Sequence, residues 1–328
     1  MVLSDSRPSP SWENVELAAR AIDPIFLNSP IASSPVLDDI LGCHLVAKVE
    51  TLNPIRSFKG RGTSWFIQTA LPEGAEELVA SSAGNFGQGL AHAATAAGRK
   101  LTVYAATTAN PDKIDAMRRF GATVVLEGQD FDAAKSAATD FAAANGGYLV
   151  VDGNEPAIAE GAGTIALELF QQTTASFDSV IVSLGNGALA TGVGAWVKHA
   201  SPPTGVIAVA ATGAPSMALS WRRGEVVETA TANTIADGIA VRVPVPYALD
   251  TMDGTVDDVV EVDDDTLITA MRLVHRYLGL VVEPSGVAGV AAILSAPSRW
   301  AGQTIGTVLC GANINRTRAP EWLFERIN

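Results

Sequence analysis

The chain has 328 residues, 48% hydrophobic and 17% charged, so it is globular and long enough for one large domain or two intimate ones. Its formal charge of -13 repels nucleic-acid phosphates and anionic membranes, so neither is expected as a partner. Two cysteines, Cys43 and Cys310, and four histidines give no disulfide framework and no metal-ligand spacing; a reducing cytoplasm is expected, and no metal. The start, MVLSDSRPSPSWENVELAAR, lacks a basic segment ahead of an apolar core, which argues against a secretory signal. No apolar run of about 20 residues follows, so no transmembrane helix is expected.

In chain order, HLVAKVE (44–50) reads as a strand, and NPIRSFKGRG (53–62) follows it with Lys59 crowded by small and turn-forming residues. ELVASSA (77–83) is a strand, and GQGLAHAATAAG (87–98) is a helix stopped at Gly98, where glycine takes a left-handed cap at little cost. KLTVYAA (100–106) is a strand. NPDKIDAMRRFG (110–121) is a helix with Asn110 as N-cap, Pro111 in the first position and Gly121 as the stop. ATVVLEG (122–128) is a strand, and the helix after it sets Phe131, Ala134, Ala138 and Phe141 on one face. YLVVDG (148–153) is a strand. SVIVSLGNGALATGVGAWVKHA (179–200) reads as strand, glycine loop and helix, and GVIAVAA (205–211) as a strand. DDVVEVDDD (257–265) fits a solvated strand and cap, and TIGTVLCGANIN (304–315) a late strand and turn. This alternation implies right-handed crossovers and a mostly parallel sheet, with ligands at the carboxyl ends of the strands. SSAGN, SLGNGAL, ADGIAV and LCGAN fall at such ends or in loops.

SLGNGAL, Ser183 to Leu189, leaves an apolar strand and opens a helix, so its backbone N–H groups can face an anion with the helix dipole behind them. Gly185 and Gly187 fit a dinucleotide fingerprint, but Ala190 breaks it, and no Lys-Ser/Thr follows to make a P-loop. A tight turn packed on the sheet fits the letters equally well. SSAGNFGQG offers Ser82, Asn85 and Gln88 to a carboxylate or a ring oxygen, although a plain helix cap is the simpler reading taken alone. A lone lysine is usually a surface residue, a lone Cys310 a small core group, and His92 a packing residue. Partly buried, Lys59 would instead be a nucleophile or base. Together, a lysine, a phosphate cradle and a carboxylate-sized polar loop suggest a cofactor with an aldehyde and a phosphate; pyridoxal 5'-phosphate has both.

The order SFKGRG, SSAGNFGQG, EGAGTIALEL, SLGNGAL, ADGIAV, EPSGVAGVAA, LCGAN resembles the fold-type II pyridoxal-phosphate enzymes, in particular their serine/threonine dehydratase and serine racemase group. The likeness runs from SSPVLDDILG to CGANIN, most of the chain. It implies an α/β fold like that of tryptophan synthase β, with two open, mostly parallel twisted sheets and flanking helices. It also implies a large cofactor domain, 1–76 and 153–328, a small substrate-loop domain, 77–152, and a homodimer. By the resemblance, Lys59 is joined to the cofactor aldehyde and later takes the α-proton, with Phe58 packing beside it. Asn85 meets the ring hydroxyl; Gly185, Asn186, Gly187, Ala188 and Leu189 hold the phosphate. Gly238 lies near the cofactor face and Cys310 beside the pyridine nitrogen. Ser82, Ala83, Gly84, Asn85 and Phe86 grip the amino-acid substrate. Gly60 and Gly62 are expected to let the cofactor lie close to the backbone.

The implied activity is that of a lyase: loss of the β-hydroxyl from threonine or serine, giving a 2-oxo acid and ammonia. Departures open other readings. Phe86 stands where the family has histidine, which points to a bulkier substrate such as phenylserine or to packing beneath the loop. Ala83 replaces the serine that serine racemases use as an opposite-face base, against racemisation by that route. Asn186 and Ala188 interrupt a glycine tetrad, yet backbone donors survive. AATGAPSMALS lacks the acids of the racemase metal site. The chain ends soon after CGANIN, so no regulatory tail domain and no isoleucine control are expected. The Asn-Pro before SFKGRG also resembles threonine and cysteine synthases, keeping β-replacement or a threonine-synthase-like reaction open. A third reading is a non-catalytic protein that binds the cofactor.

Overall fold

The computed structural model describes residues 7–129 and 131–324. Ten strands fall into two sheets: β1 (Ile31–Ala32), β2 (His44–Val49), β3 (Glu77–Ser81), β4 (Lys100–Ala105), β5 (Thr123–Leu126), β6 (Tyr148–Leu149), β7 (Ser179–Ser183), β8 (Gly205–Ala211), β9 (Asp258–Val262) and β10 (Thr304–Leu309). The larger sheet has the order β1-β2-β10-β7-β8-β9 and the smaller β5-β4-β3-β6. Every pairing is parallel except β1 with β2. The expectation of two mostly parallel sheets with flanking helices is met.

The first eight α-helices carry what the site needs: α1 (Trp12–Ala21), α2 (Pro35–Leu41), α3 (Lys59–Thr69), α4 (Asn85–Ala96), α5 (Pro111–Arg119), α6 (Phe131–Asn145), α7 (Pro156–Gln171) and α8 (Ala188–Ala200). The central strands read as apolar runs because helices cover both faces of a parallel sheet, and β7 is buried along its whole length. α5 begins as the sequence indicates: Asn110 accepts from the Asp112 N–H and Pro111 leads the helix. Gly98, just past α4, has φ +66. Asp263, the first of three aspartates after β9, caps the next helix through the Thr266 N–H at 2.7 Å.

Three local readings need correction. The helix read from Gly87 begins at Asn85, because Ser82 Oγ accepts from the N–H groups of Gly84 and Gly87 and draws the polar loop into the first turn. The strand read as 148–153 ends at Leu149. Val150 makes a last bond to Val79, and a turn closed by Asn154 N–H to Val151 O at 3.0 Å, with Gly153 at φ +83, lifts the chain off the sheet. The buried face of α6 is Ala134, Ala138 and Ala142; Phe131, in the first turn, is 45% exposed. Small alanines let this helix lie close on β3 and β4, and a phenylalanine at the helix start lies beyond that contact.

Candidate active site

Lys59 is the first residue of α3, directly beyond a turn at the carboxyl end of β2. Asn53 builds that turn: its side chain donates to the carbonyls of Glu50 and Ser57 and accepts from the Ser57 N–H. Arg56 adopts φ +54 there, an uncommon conformation for a side chain of its size. Phe58 N–H then binds Cys310 O at 3.0 Å, which ties the lysine turn to the end of β10. The Lys59 ammonium lies 4.7 Å from the Phe58 ring centroid and 5.9 Å from that of Phe86. It donates to Asp152 Oδ2 at 2.6 Å, and both side chains are largely buried.

Gly60 and Gly62 do not face a cofactor. A Cβ on Gly60 would overlap the Phe26 ring, and one on Gly62 would overlap the Ile158 carbonyl. These glycines let α3 pack against α7 and the segment before β1, so the expectation that they admit the cofactor is replaced by one of close helix packing.

The glycine loop after β7 delivers the N-terminus of α8. Gly187 is its N-cap at φ +92, and no side chain caps that end. Ala188 and Leu189 bury their side chains in the core, leaving backbone N–H groups as the polar face of the first turn. A Cβ on Gly185 would lie 2.7 Å from Gly238 O, and one on Gly153 would overlap the Asn186 carbonyl. The loop is therefore held between the 236–240 segment and the turn bearing Asp152. Gly238 N–H binds Ser285 Oγ at 3.0 Å, while Ser183 Oγ donates to Ser285 O at 2.6 Å and lies 3.7 Å from Cys310 Sγ. Burial and the nearby Glu283 charge push the Cys310 thiol up to about 12, so it stays neutral across the physiological range.

Ser82, Ala83, Gly84, Asn85 and Phe86 form the β3–α4 corner. Asn85 donates to Glu283 Oε1 and accepts from Asn313 Nδ2 at 2.7 Å. Phe86 is buried in the same apolar cluster as Ile55, Phe66 and Leu90. The buried Lys113 of α5 reaches across to Asp237 at 2.5 Å and to Glu283 Oε2 at 3.7 Å. Burial alone would lower the Lys113 pKa, but Glu283 and Asp237 outweigh it and hold the ammonium. Burial pushes the Glu283 carboxyl up, with the Lys113 charge opposing. Lys113 and Asn313 also border a cavity of about 180 Å³ that includes Arg56, Gln88 and Arg316 but not Lys59.

Sequence reasoning did not single out Asp152, Lys113, Asp237, Glu283 or Asn313. Asp237, Glu283 and Asn313 lie inside quoted motifs, so their positions were visible and their convergence was not. Nor was Arg61 recognised: its fully enclosed guanidinium binds Glu50, Glu168, Thr164 and Ser29. Lys48, also fully enclosed, pairs with Glu168 at 2.7 Å. Among the described residues, no three His, Cys, Asp or Glu side chains gather as a metal site would require.

These features fit pyridoxal phosphate. An uncapped helix end preceded by Gly185 and Gly187 suits a phosphate, a largely buried lysine suits an aldehyde, and a neutral thiol suits a pyridine nitrogen. Asp152 Oδ1 and Glu283 Oε2 are buried without a hydrogen-bond partner, as expected of a cleft whose polar groups await a ligand.

The fold and cleft define a cofactor-dependent α/β enzyme. Residues 22–311 match the family described as pyridoxal-phosphate dependent enzyme, and the chain belongs to it. An L-threonine ammonia-lyase of Thermotoga maritima is 33% identical over 304 residues, 92% of this chain and 75% of the relative. The biosynthetic L-threonine dehydratase IlvA of Escherichia coli is 32% identical over 88% of this chain, which spans 56% of that relative's length. The crystal structure of a T.th. threonine deaminase superposes with a TM-score of 0.86 at 30% identity, covering 93% of this chain and 98% of that one. A pyridoxal 5'-phosphate-dependent aspartate racemase superposes at 0.87 with 28% identity, covering 97% and 100%.

Proposed function

We propose that this enzyme removes the β-hydroxyl of threonine or serine and releases a 2-oxo acid and ammonia. The observation that carries the reading is the seating of Lys59 between the β3–α4 loop and the turn that abuts the phosphate loop, in a chain similar to threonine ammonia-lyases over most of its length. Pyridoxal phosphate, when bound, supplies an aldehyde to the substrate amine and a ring that draws electrons from the α-carbon. The remaining work belongs to this chain. Backbone N–H groups of Gly185, Asn186, Gly187, Ala188 and Leu189 hold the phosphate. Asn85, fixed by Glu283 and Asn313, orients the ring hydroxyl. Ser82, Ala83, Gly84, Asn85 and Phe86 seat the substrate carboxylate, Phe86 by supporting the loop from below. Gly238 keeps the opposite wall close, and Lys59, once free as an amine, takes the α-proton.

The neutral Cys310 thiol supports elimination over a long-lived carbanion, because it does not fix a proton on the ring nitrogen as a carboxylate would. Ala83 offers no base on the opposite face, which favours lyase over racemase chemistry. Residues 1–76 and 153–328 would act as the cofactor domain and 77–152 as the part that closes over substrate. We infer a homodimer working in the cytoplasm, where Cys43 and Cys310, both free and buried, stay reduced. Among the described residues, no helix is long and apolar enough to cross a membrane.

The test is a panel of L- and D-serine, L-threonine, threo-3-hydroxyaspartate and phenylserine, with ammonia and oxo acid quantified and Lys59→Ala run beside the wild type. Release from L-threonine or L-serine, lost in the variant, is the expected result. Cofactor colour without release from any of them discards the lyase reading, and oxo-acid output changed by added thiol or amine would favour β-replacement.

A further inference from the structure

Asp152 has no role in the reading above, yet it is the carboxylate paired with Lys59. The turn that carries it is built rather than loose. Asn154 N–H closes on Val151 O at 3.0 Å, Gly153 at φ +83 packs on the Asn186 carbonyl, and Tyr148 Oη donates to Glu155 at 3.0 Å just beyond. Among the described residues, Asp152 is the one carboxylate at ion-pair distance from Lys59. The Phe58 and Phe86 rings also face the ammonium, and the neutral Cys310 thiol feels its charge. Asp152 Oδ1 is buried and accepts nothing, so the carboxylate has a second acceptor in reserve.

We propose that Asp152 is a positioning residue that pairs with Lys59 as an ammonium in the cofactor-free protein and again once Lys59, released as an amine, has taken the α-proton. This rests on the reading of Lys59 as the α-proton base. In that step the α C–H bond breaks and an N–H bond forms on Nζ. The electron pair left on carbon becomes the second bond to the β-carbon as the β C–O bond breaks, and the hydroxyl takes the proton from Nζ and leaves as water, which returns Lys59 to the amine. Asp152 remains a carboxylate throughout. It gives the new ammonium a counter-charge at 2.6 Å in a largely buried site beside two phenylalanine rings, where an unpaired cation is costly. The same contact opposes cofactor capture, because Nζ must leave its carboxylate before it can attack the aldehyde.

The two effects have opposite signs, which a merely structural role does not produce. Full-length Asp152→Asn, stripped of cofactor, is expected to take up pyridoxal phosphate about threefold faster than wild type, as judged by absorbance. Reloaded, it should release ammonia from saturating L-threonine about tenfold more slowly, with a larger rate loss on α-deuterated threonine. Capture no faster than wild type, or turnover within about twofold of it, overturns the proposal. Asp152→Ala gives a second test: added acetate should restore turnover, and a folded, coloured variant that acetate does not rescue also overturns it. If the wild type takes up cofactor but releases no ammonia, the lyase reading fails on its own, and the capture comparison still judges the ion pair.

Discussion

Lys59 and Arg61 stand two residues apart on α3 and occupy opposite surroundings. Arg61 is fully enclosed, and its guanidinium is saturated by Glu50, Glu168, Thr164 and Ser29. These partners come from the residue after β2, from α7 and from the segment before β1, so the arginine locks three parts of the chain together. Lys59 faces the cleft with one carboxylate and two aromatic rings. A saturated cation is held still, whereas a cation with one partner can exchange it. The helix thus fixes one end of the motif SFKGRG in the core and leaves the other end free to react.

The sharpest way to break this comparison is to remove each cation in turn. Lys59→Ala should lower ammonia release from L-threonine by roughly 10⁴-fold or more while leaving the thermal midpoint nearly unchanged. A variant that keeps one-tenth of the activity would remove Lys59 from the chemistry. Arg61→Met should do the reverse. It leaves the buried Glu50 and Glu168 with Lys48 as the one remaining cation among the described residues and is expected to cost about 3–5 kcal/mol in urea unfolding. The loss should depend on acid. Burial alone would raise the Glu168 pKa, but hydrogen bonds and charge from Arg61 and Lys48 hold it below the ordinary range. Glu168 therefore contributes stability above the usual carboxylate titration, and that contribution disappears as pH falls through its lowered value. The gap between wild type and Arg61→Met should narrow toward acid pH.

A smaller effect separates packing from cofactor approach on the same helix. In Gly62→Ala the new methyl overlaps the Ile158 carbonyl, so α3 and α7 must move apart at a cost of about 1–3 kcal/mol. Cofactor affinity per folded molecule should stay the same. If instead affinity drops while unfolding is unaltered, the glycine serves the cleft and the packing account is wrong.

The contrast also explains what could be read in advance. The parallel alternation, the Asn110–Pro111 helix start and the strand–glycine–helix corner at SLGNGAL are local, and local spacing and capping chemistry specify them. Lys59 could be singled out because its neighbours are unusual for a surface lysine. Arg61 sits in the same ten letters and was passed over, since its partners Glu50 and Glu168 lie 11 and 107 residues away. Asp152 was hidden by a strand reading of YLVVDG, because nothing in those letters says that pairing stops at Leu149. Glu283 and Lys113 meet only after two sheets have assembled. Local chemistry is legible in sequence; the convergence of distant charges depends on tertiary packing.

The last effect concerns the neutral partner of the cleft and is confined to alkaline pH. Cys310 is the third polar group tied to the lysine turn, and unlike Lys59 and Arg61 it carries no charge. Burial, with Glu283 adding to it, raises its thiol from 9.0 to about 12. The unfolded chain therefore gives up this proton first as pH rises. The contribution to stability is complete below about pH 9 and is lost progressively up to about pH 12, at up to about 1.4 kcal/mol per pH unit. Cys310→Ser replaces the thiol with a hydroxyl that does not titrate in this window. Urea midpoints measured from pH 8 upward should fall more steeply for wild type than for the variant, after the loss common to both is subtracted. Parallel slopes would mean that the thiol ionises as readily in the folded protein as in the unfolded chain. Its neutrality, and with it the argument for elimination at this ring nitrogen, would then be lost.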